Sequence, residues 1–184
     1  MSKKEEIIKL ADNLIRGKGY NAFSFYEVSD KVGIKTASIH YHFPTKSDLG
    51  VAVIELHIKN LNSLIGCSKS KSPLEKLEYF FSIYADIQKE SNVCLVGSLA
   101  TDFNTLDQKV QHKLKALSAL ILDWVSGFLE EGRSKNLFDF EGEPRSKALM
   151  IISNMLAIVQ LSRLTSDKDF EVVKTSIKND LLKE

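Results

Sequence analysis

Between residues 25 and 46 the chain reads FYEVSDKVGIKTASIHYHFPTK, and few folds accommodate that order of residues. Val28, Val32, Ile34 and Ile39 supply apolar contacts at helical spacing on either side of Gly33, which stands where the backbone needs a positive φ to turn. Ser29, four positions before the glycine, is small enough for a second helix to cross close over the first. Pro44 disfavours helical geometry in Phe43 and stops that second helix. The pattern predicts a helix-turn-helix whose second helix is held rigidly, with Lys35, Thr36, Ser38 and Tyr41 facing outward, in a form suited to a major groove.

The flanking sequence extends this unit in both directions. Ser2 with Glu5, and Ser24 with Glu27, have the spacing of capping boxes, and Ile7, Leu10, Ala11, Leu14 and Ile15 mark one face of a helix ended by Gly17 and Gly19. Thr45 and Asp48 predict a further cap for a helix beginning at Lys46. Its N–H groups and a lysine then point at one spot, as a phosphate site requires. Leu49, Ala52, Val53, Leu56 and Leu64 carry that helix to about Gly66, and CSKSKSP (67–73) reads as a surface loop. Apolar spacing then predicts helices over 74–89, 93–103, 106–131 (ended by Gly132), a segment including 148–161, and 169–182. The whole is all-α, with an N-terminal helix-turn-helix domain over 1–48 and a helical body over 49–184.

ALMIISNMLAIVQL (148–161) is apolar on nearly every side, which a helix with one wet face cannot be. Two apolar neighbours satisfy it: its own core and a second copy of the chain. The dimer surface expected on this basis comprises Leu149, Ile152, Leu156 and Val159, with Phe170, Val173 and Ile177 from the last helix.

Composition narrows the function. A net charge of +1 is too small to suggest nonspecific nucleic-acid binding by the whole chain, and the first 49 residues, with eight of the 25 Lys+Arg and six of the 24 Asp+Glu, are only mildly basic, which decides nothing alone. Cys67 and Cys94 have neither disulfide-framework nor metal-site spacing, which fits a reducing cytoplasm. No apolar run follows the basic start and none is long enough to span a membrane, so neither secretion nor a membrane span is expected. His40 and His42, two apart on a helix, point in different directions and cannot share an ion, so neither metal nor cofactor is expected. The sequence contains no nucleophile elbow, glycine-rich phosphate loop, HExxH or paired-carboxylate motif, which argues against an enzyme. A helical adaptor binding proteins through segment 148–161 is the alternative that composition leaves open.

GYNAFSFYEVSDKVGIKTASIHYHFPTKSDL resembles the DNA-binding domain of the TetR family of bacterial transcriptional repressors, over about Lys4 to Leu64 without a gap. The resemblance implies a homodimeric, ligand-responsive regulator of about nine helices, whose partners are double-stranded operator DNA, a second copy and a small-molecule effector. It implies phosphate contacts from Tyr41 and Lys46, base-edge positions at Thr36, Ala37 and Ser38, and a guanine or phosphate contact from Lys35. Ser24, Tyr26, His40 and His42 complete the expected DNA face. Two positions depart from the family pattern: Lys35 replaces a common capping serine, leaving Thr36 as substitute cap, and His40 replaces a tyrosine.

In the body, Phe80, Tyr84, Phe103, Trp124, Phe128 and Met155 either line an apolar effector cavity or form plain core. Cys94 lies in VCLVGSLATDF, which resembles a segment near the effector site of some TetR regulators. Its thiol is read either as an electrophile sensor at that site or as an inert buried cysteine.

Overall fold

A computed structural model describes residues 2–182. Nine α-helices follow one another among these residues: α1 (Lys3–Lys18), α2 (Phe25–Val32), α3 (Thr36–His42), α4 (Lys46–Cys67), α5 (Pro73–Lys89), α6 (Leu95–Thr101), α7 (Gln108–Ser134), α8 (Pro144–Leu161) and α9 (Asp167–Asn179). A single 3-10 turn, Phe103–Thr105, lies between α6 and α7. Extended pairing among the described residues is limited to one isolated bridge, Phe138 with Leu182. Among the described residues no helix is long and apolar enough to cross a membrane.

The chain forms two compact units, Met1–Asn60 with Cys94–Ser118, and Leu61–Val93 with Ala119–Glu184. These packing units differ from the division expected at residues 48 and 49, because α6 and the start of α7 belong with the helix-turn-helix. Ser98 of α6 is buried and donates to Ile15 O at 2.7 Å, while Lys109 and Lys113 of α7 pair with Asp48 and Glu55 of α4. The first unit buries Ile7, Ala11 and Ile15 of α1 with Val28, Ile39, Leu49, Val53, Leu99 and Val110. His57 Nε2 of α4 meets the Asp12 carboxylate of α1 at 2.7 Å, and Arg16 shares that carboxylate at 3.3 Å. The second unit buries Leu77, Phe80, Phe81 and Tyr84 of α5 with Val125, Phe128 and Leu129 of α7, and with Ala148, Ile151, Met155 and Ile158 of α8.

Local chemistry sets most helix ends where the residues predict. Ser2 and Glu5 close a reciprocal capping box on α1, and Ser72 with Glu75 do so on α5, where Pro73 fills the first helical position. At α2 only half of the expected box forms: Ser24 Oγ accepts from Glu27 N–H, while the Glu27 carboxylate turns to Lys18. Gly17 remains inside α1, and Gly19 (φ +94°) ends it. The 93–103 segment divides into the short helix α6 and the 3-10 turn. Gly132 does not end α7, which continues to Ser134, because this glycine makes room for the Phe138 ring rather than for a turn.

Candidate nucleic-acid interface

The α2–α3 pair is built around Gly33 and Ser29. Gly33 takes left-handed geometry (φ 71°, ψ 39°) and donates to Asp30 O at 3.2 Å, while Ile34 N–H reaches Ser29 O at 3.0 Å. Ser29 is buried and its Oγ donates to Tyr26 O at 2.8 Å, so that oxygen receives the Thr36 hydroxyl at 3.0 Å. Thr36 is therefore the joint between the two helices and not the cap of α3. The N-cap is Lys35, which makes no side-chain capping bond.

With Ile39 fully buried beneath it, α3 turns Lys35, Ala37, Ser38 and Tyr41 to solvent, and Tyr41 is 84% exposed. Tyr26 is similarly open on α2. A shallow groove beside α3 is lined by Ile34, Ala37, Ser38, Tyr41 and His42, and by Lys3 from the start of α1. No spacing in the sequence relates Lys3 to this group; only the fold brings it there. His40 is exposed but committed: its Nδ1 lies 3.2 Å from Pro44 O, which can only accept, so that nitrogen carries the proton. Its ring packs edge-on against Phe25, 4.9 Å between centres, which keeps Phe25 half-buried rather than in the core. Phe23 is fully in the core. Ser24 is spent on its cap.

The first turn of α4 is held from within the same unit. Asp48 accepts from Thr45 N–H at 2.9 Å, from the Thr45 hydroxyl at 2.7 Å and from Lys109 Nζ at 2.5 Å. The bond from Lys109, followed by those from Thr45, holds the Asp48 carboxyl below its ordinary value. A depressed folded value means the carboxylate stabilises the fold above the ordinary carboxylate range and loses that contribution as pH falls through the lowered value. Asp48→Asn is accordingly expected to lower the urea midpoint near neutrality, and the gap from the natural chain should close in acid. A gap independent of pH would refute the assignment.

Lys46 is not turned outward. Its Nζ donates to Phe23 O at 2.7 Å and lies 3.5 Å from Asn21 O, with the Phe23 and Tyr20 ring centres at 4.4 and 4.9 Å. Burial pushes the ammonium below its ordinary value, against the opposing pull of Asp102.

The residues expected to line an effector cavity fall into two groups. Phe80, Tyr84, Trp124 and Phe128 form a continuous edge-to-face series in the second unit: Phe80 to Tyr84 at 5.2 Å, Phe80 to Trp124 at 6.4 Å and Trp124 to Phe128 at 5.5 Å. Met155 is fully buried in that unit. Cys94, the half-buried N-cap of α6, and Phe103, whose ring lies under Lys115, belong to the first unit and do not join the series.

The expected dimer surface is also divided. Val159, Phe170 and Ile177 are buried within the protomer, because α8 and α9 pack on each other through them. Leu149 is exposed, and Ile152, Leu156 and Val173 are half-buried. The outward stripe of α8 runs instead through Met150, Ser153, Ala157 and Leu161 to Leu164 just beyond it, and Val172 is exposed on α9.

A short helix standing on a buried apolar base, turned over its partner by a left-handed glycine and showing a polar outer side, defines a helix-turn-helix DNA-binding regulator. The family model for bacterial regulatory proteins of the tetR family matches residues 7–53. A TetR transcriptional regulator from Legionella pneumophila has the same fold in its crystal structure, with a TM-score of 0.88, 37% identity and 98% of each chain covered. The chain is also 28% identical to an HTH-type transcriptional regulator of Lactococcus lactis subsp. lactis, over 95% of this chain and 93% of that one. It is 24% identical to the negative regulator of the icaADBC biofilm operon, IcaR, of Staphylococcus aureus, over 72% of each. The chain belongs to the TetR family of transcriptional regulators.

Proposed function

We infer that this protein is a cytoplasmic homodimeric repressor. Two copies of α3 enter successive major grooves of a palindromic operator, about 34–36 Å apart. A small, largely apolar effector releases them. The observation that carries the DNA-binding face is the outward side of α3, where Lys35, Ala37, Ser38 and Tyr41 stand over the buried Ile39. Ala37 and Ser38 approach base edges, Lys35 reaches a guanine or a phosphate, and Tyr41 with Tyr26 contacts the backbone. His42 and Lys3 flank them in the groove. Repression is supported by the likeness to IcaR, which is a negative regulator.

In this reading residues 1–48 serve DNA binding and 49–184 serve effector binding and dimerisation. The aromatic series of Phe80, Tyr84, Trp124 and Phe128 supports an apolar or aromatic effector. Helix α4 has residues in both packing units and is the covalent route by which effector binding alters the DNA-bound state, through a coupling of about 1–3 kcal/mol.

Selection of duplexes from a random pool supplies the operator, and anisotropy titrations then test the face. Tyr41→Phe is expected to weaken matched and mismatched duplexes alike. Ser38→Ala or Lys35→Ala should relax preference at one base pair, by about 1–3 kcal/mol. Unchanged affinity and preference in all three variants would remove α3 as the reading helix.

A further inference from the structure

Ile34, Ala37, Ser38 and Tyr41 follow one another at the three- and four-residue spacing of a single helical stripe, and together they line the groove beside α3. The end of that stripe nearest the Gly33 turn is hydrocarbon: the half-buried Ile34 side chain and, three residues on, the exposed Ala37 methyl. Polar and cationic groups surround it. Ser38 is exposed beside Ala37, Lys35 is exposed at the N-cap, and Lys3 lines the groove from α1, its ammonium paired with Glu6 at 2.8 Å. No carboxylate lines the groove among the described residues. The result is a small apolar spot on a face whose charge suits a polyanion, continuous with the positions that approach base edges.

What such a spot can meet in a major groove is limited. Base edges there offer hydrogen-bonding nitrogen and oxygen, and of the four bases only thymine adds a methyl group, at C5. An alanine set against a ring nitrogen, a carbonyl oxygen or an amino group would strip water from it and return no bond. Against the thymine methyl, the same approach removes two apolar surfaces from water. We propose that Ala37, backed by Ile34, is a specificity-determining residue that selects a thymine in each operator half-site by packing on its C5 methyl. This deepens the reading of α3 as the DNA-reading helix and rests on it.

The test uses the full chain and a duplex that it selects from a random pool. Each thymine of that duplex is replaced in turn by uracil, at symmetry-related positions together, and Kd is measured by anisotropy. Uracil keeps the pairing edge and the O4 acceptor of thymine and lacks only the methyl. At one pair of positions the replacement is expected to raise Kd about fifteenfold, about fourfold for each methyl, while the remaining pairs change it by less than about twofold. In Ala37→Gly the thymine and uracil duplexes should bind alike at that pair, because the methyl has lost its partner. Ser38→Ala should keep the preference. Comparing the two duplexes within one variant cancels any general weakening caused by a glycine in α3.

An operator with no thymine in its half-sites, or one indifferent to uracil at every position, overturns the assignment and leaves the DNA-binding reading standing. A uracil penalty that persists undiminished in Ala37→Gly reports the shape of the duplex rather than a methyl contact, and overturns it as well. The scan on the natural chain needs no variant, so it decides the matter whether or not Ala37→Gly folds. A chain that selects no duplex fails the DNA-binding reading itself, and the assignment falls with it.

Discussion

Gly132→Ala is expected to lower stability by about 2–3 kcal/mol, although a glycine inside a helix ordinarily costs about 1 kcal/mol relative to alanine. The reason lies six residues further on. A Cβ at Gly132 would stand 2.0 Å from Phe138 Cδ2, 2.5 Å from Cε2 and 2.7 Å from Cγ, closer than non-bonded carbons tolerate. The ring has nowhere to go. Phe138 is buried, its N–H and that of Leu137 both return to Gly132 O at 3.2 and 2.9 Å, and Asp139 N–H is bonded to Leu181 O at 2.8 Å. Overpacking must therefore shift the chain that follows α7, not a flexible side-chain tip. Five residues earlier on the same helix, Gly127 is exposed with nothing within 4 Å of its Cβ position, so Gly127→Ala should gain about 1 kcal/mol. At fixed protein concentration the two alanines should move the thermal midpoint in opposite directions, down by about 5–10 °C and up by about 2–4 °C. Equal shifts of the same sign would mean that Phe138 does not cover Gly132.

The same glycine shows where sequence reasoning runs out. Gly33 was legible because the turn it makes is local: its neighbours at short range, Ser29 and Asp30, accept the bonds that the left-handed residue directs back. The caps Ser2–Glu5 and Thr45–Asp48 were legible for the same reason, each closing over three residues. Gly132 resembled a stop because helices commonly end in glycine, and nothing local reveals that a ring folds back onto it. The interface divides along the same line. The outward side of α3 follows from periodicity, but the groove's Lys3, the Asp102 carboxylate on Asn21 and the Lys109 ammonium on Asp48 come from distant positions. Around Lys46 the motif supplies the lysine, while the two carbonyls and two rings about its ammonium belong to the turn before α2. In α8, apolar content on every side identifies a helix with two neighbours without saying which side meets which, and Val159, expected at the join between copies, is buried within the protomer.

The largest functional effect is expected on the outward side of α8. On α8 the stripe Met150, Ser153, Ala157, Leu161 and then Leu164 recurs at three- and four-residue spacing on the side away from the protomer core, and Leu164 is 84% exposed. Val172 of α9, 60% exposed, is a further apolar side chain left in water by the protomer. If two copies pair through this surface, Ala157 lies midway along it, and Ala157→Glu would bury an unpaired carboxylate at the join. The protomer itself should tolerate the change, because position 157 is open to solvent within it. The expected result is a folded chain whose light-scattering mass halves at micromolar concentration. Operator affinity should fall by about 10²-fold or more, since the second α3 no longer binds as part of the same molecule. Val159→Glu, two residues away but facing inward, should instead cost the fold itself, with a lost or greatly lowered thermal transition. The pair separates the surface that joins copies from the surface that holds one copy together. A dimer that survives Ala157→Glu with its operator affinity intact would place the subunit contact elsewhere on the molecule.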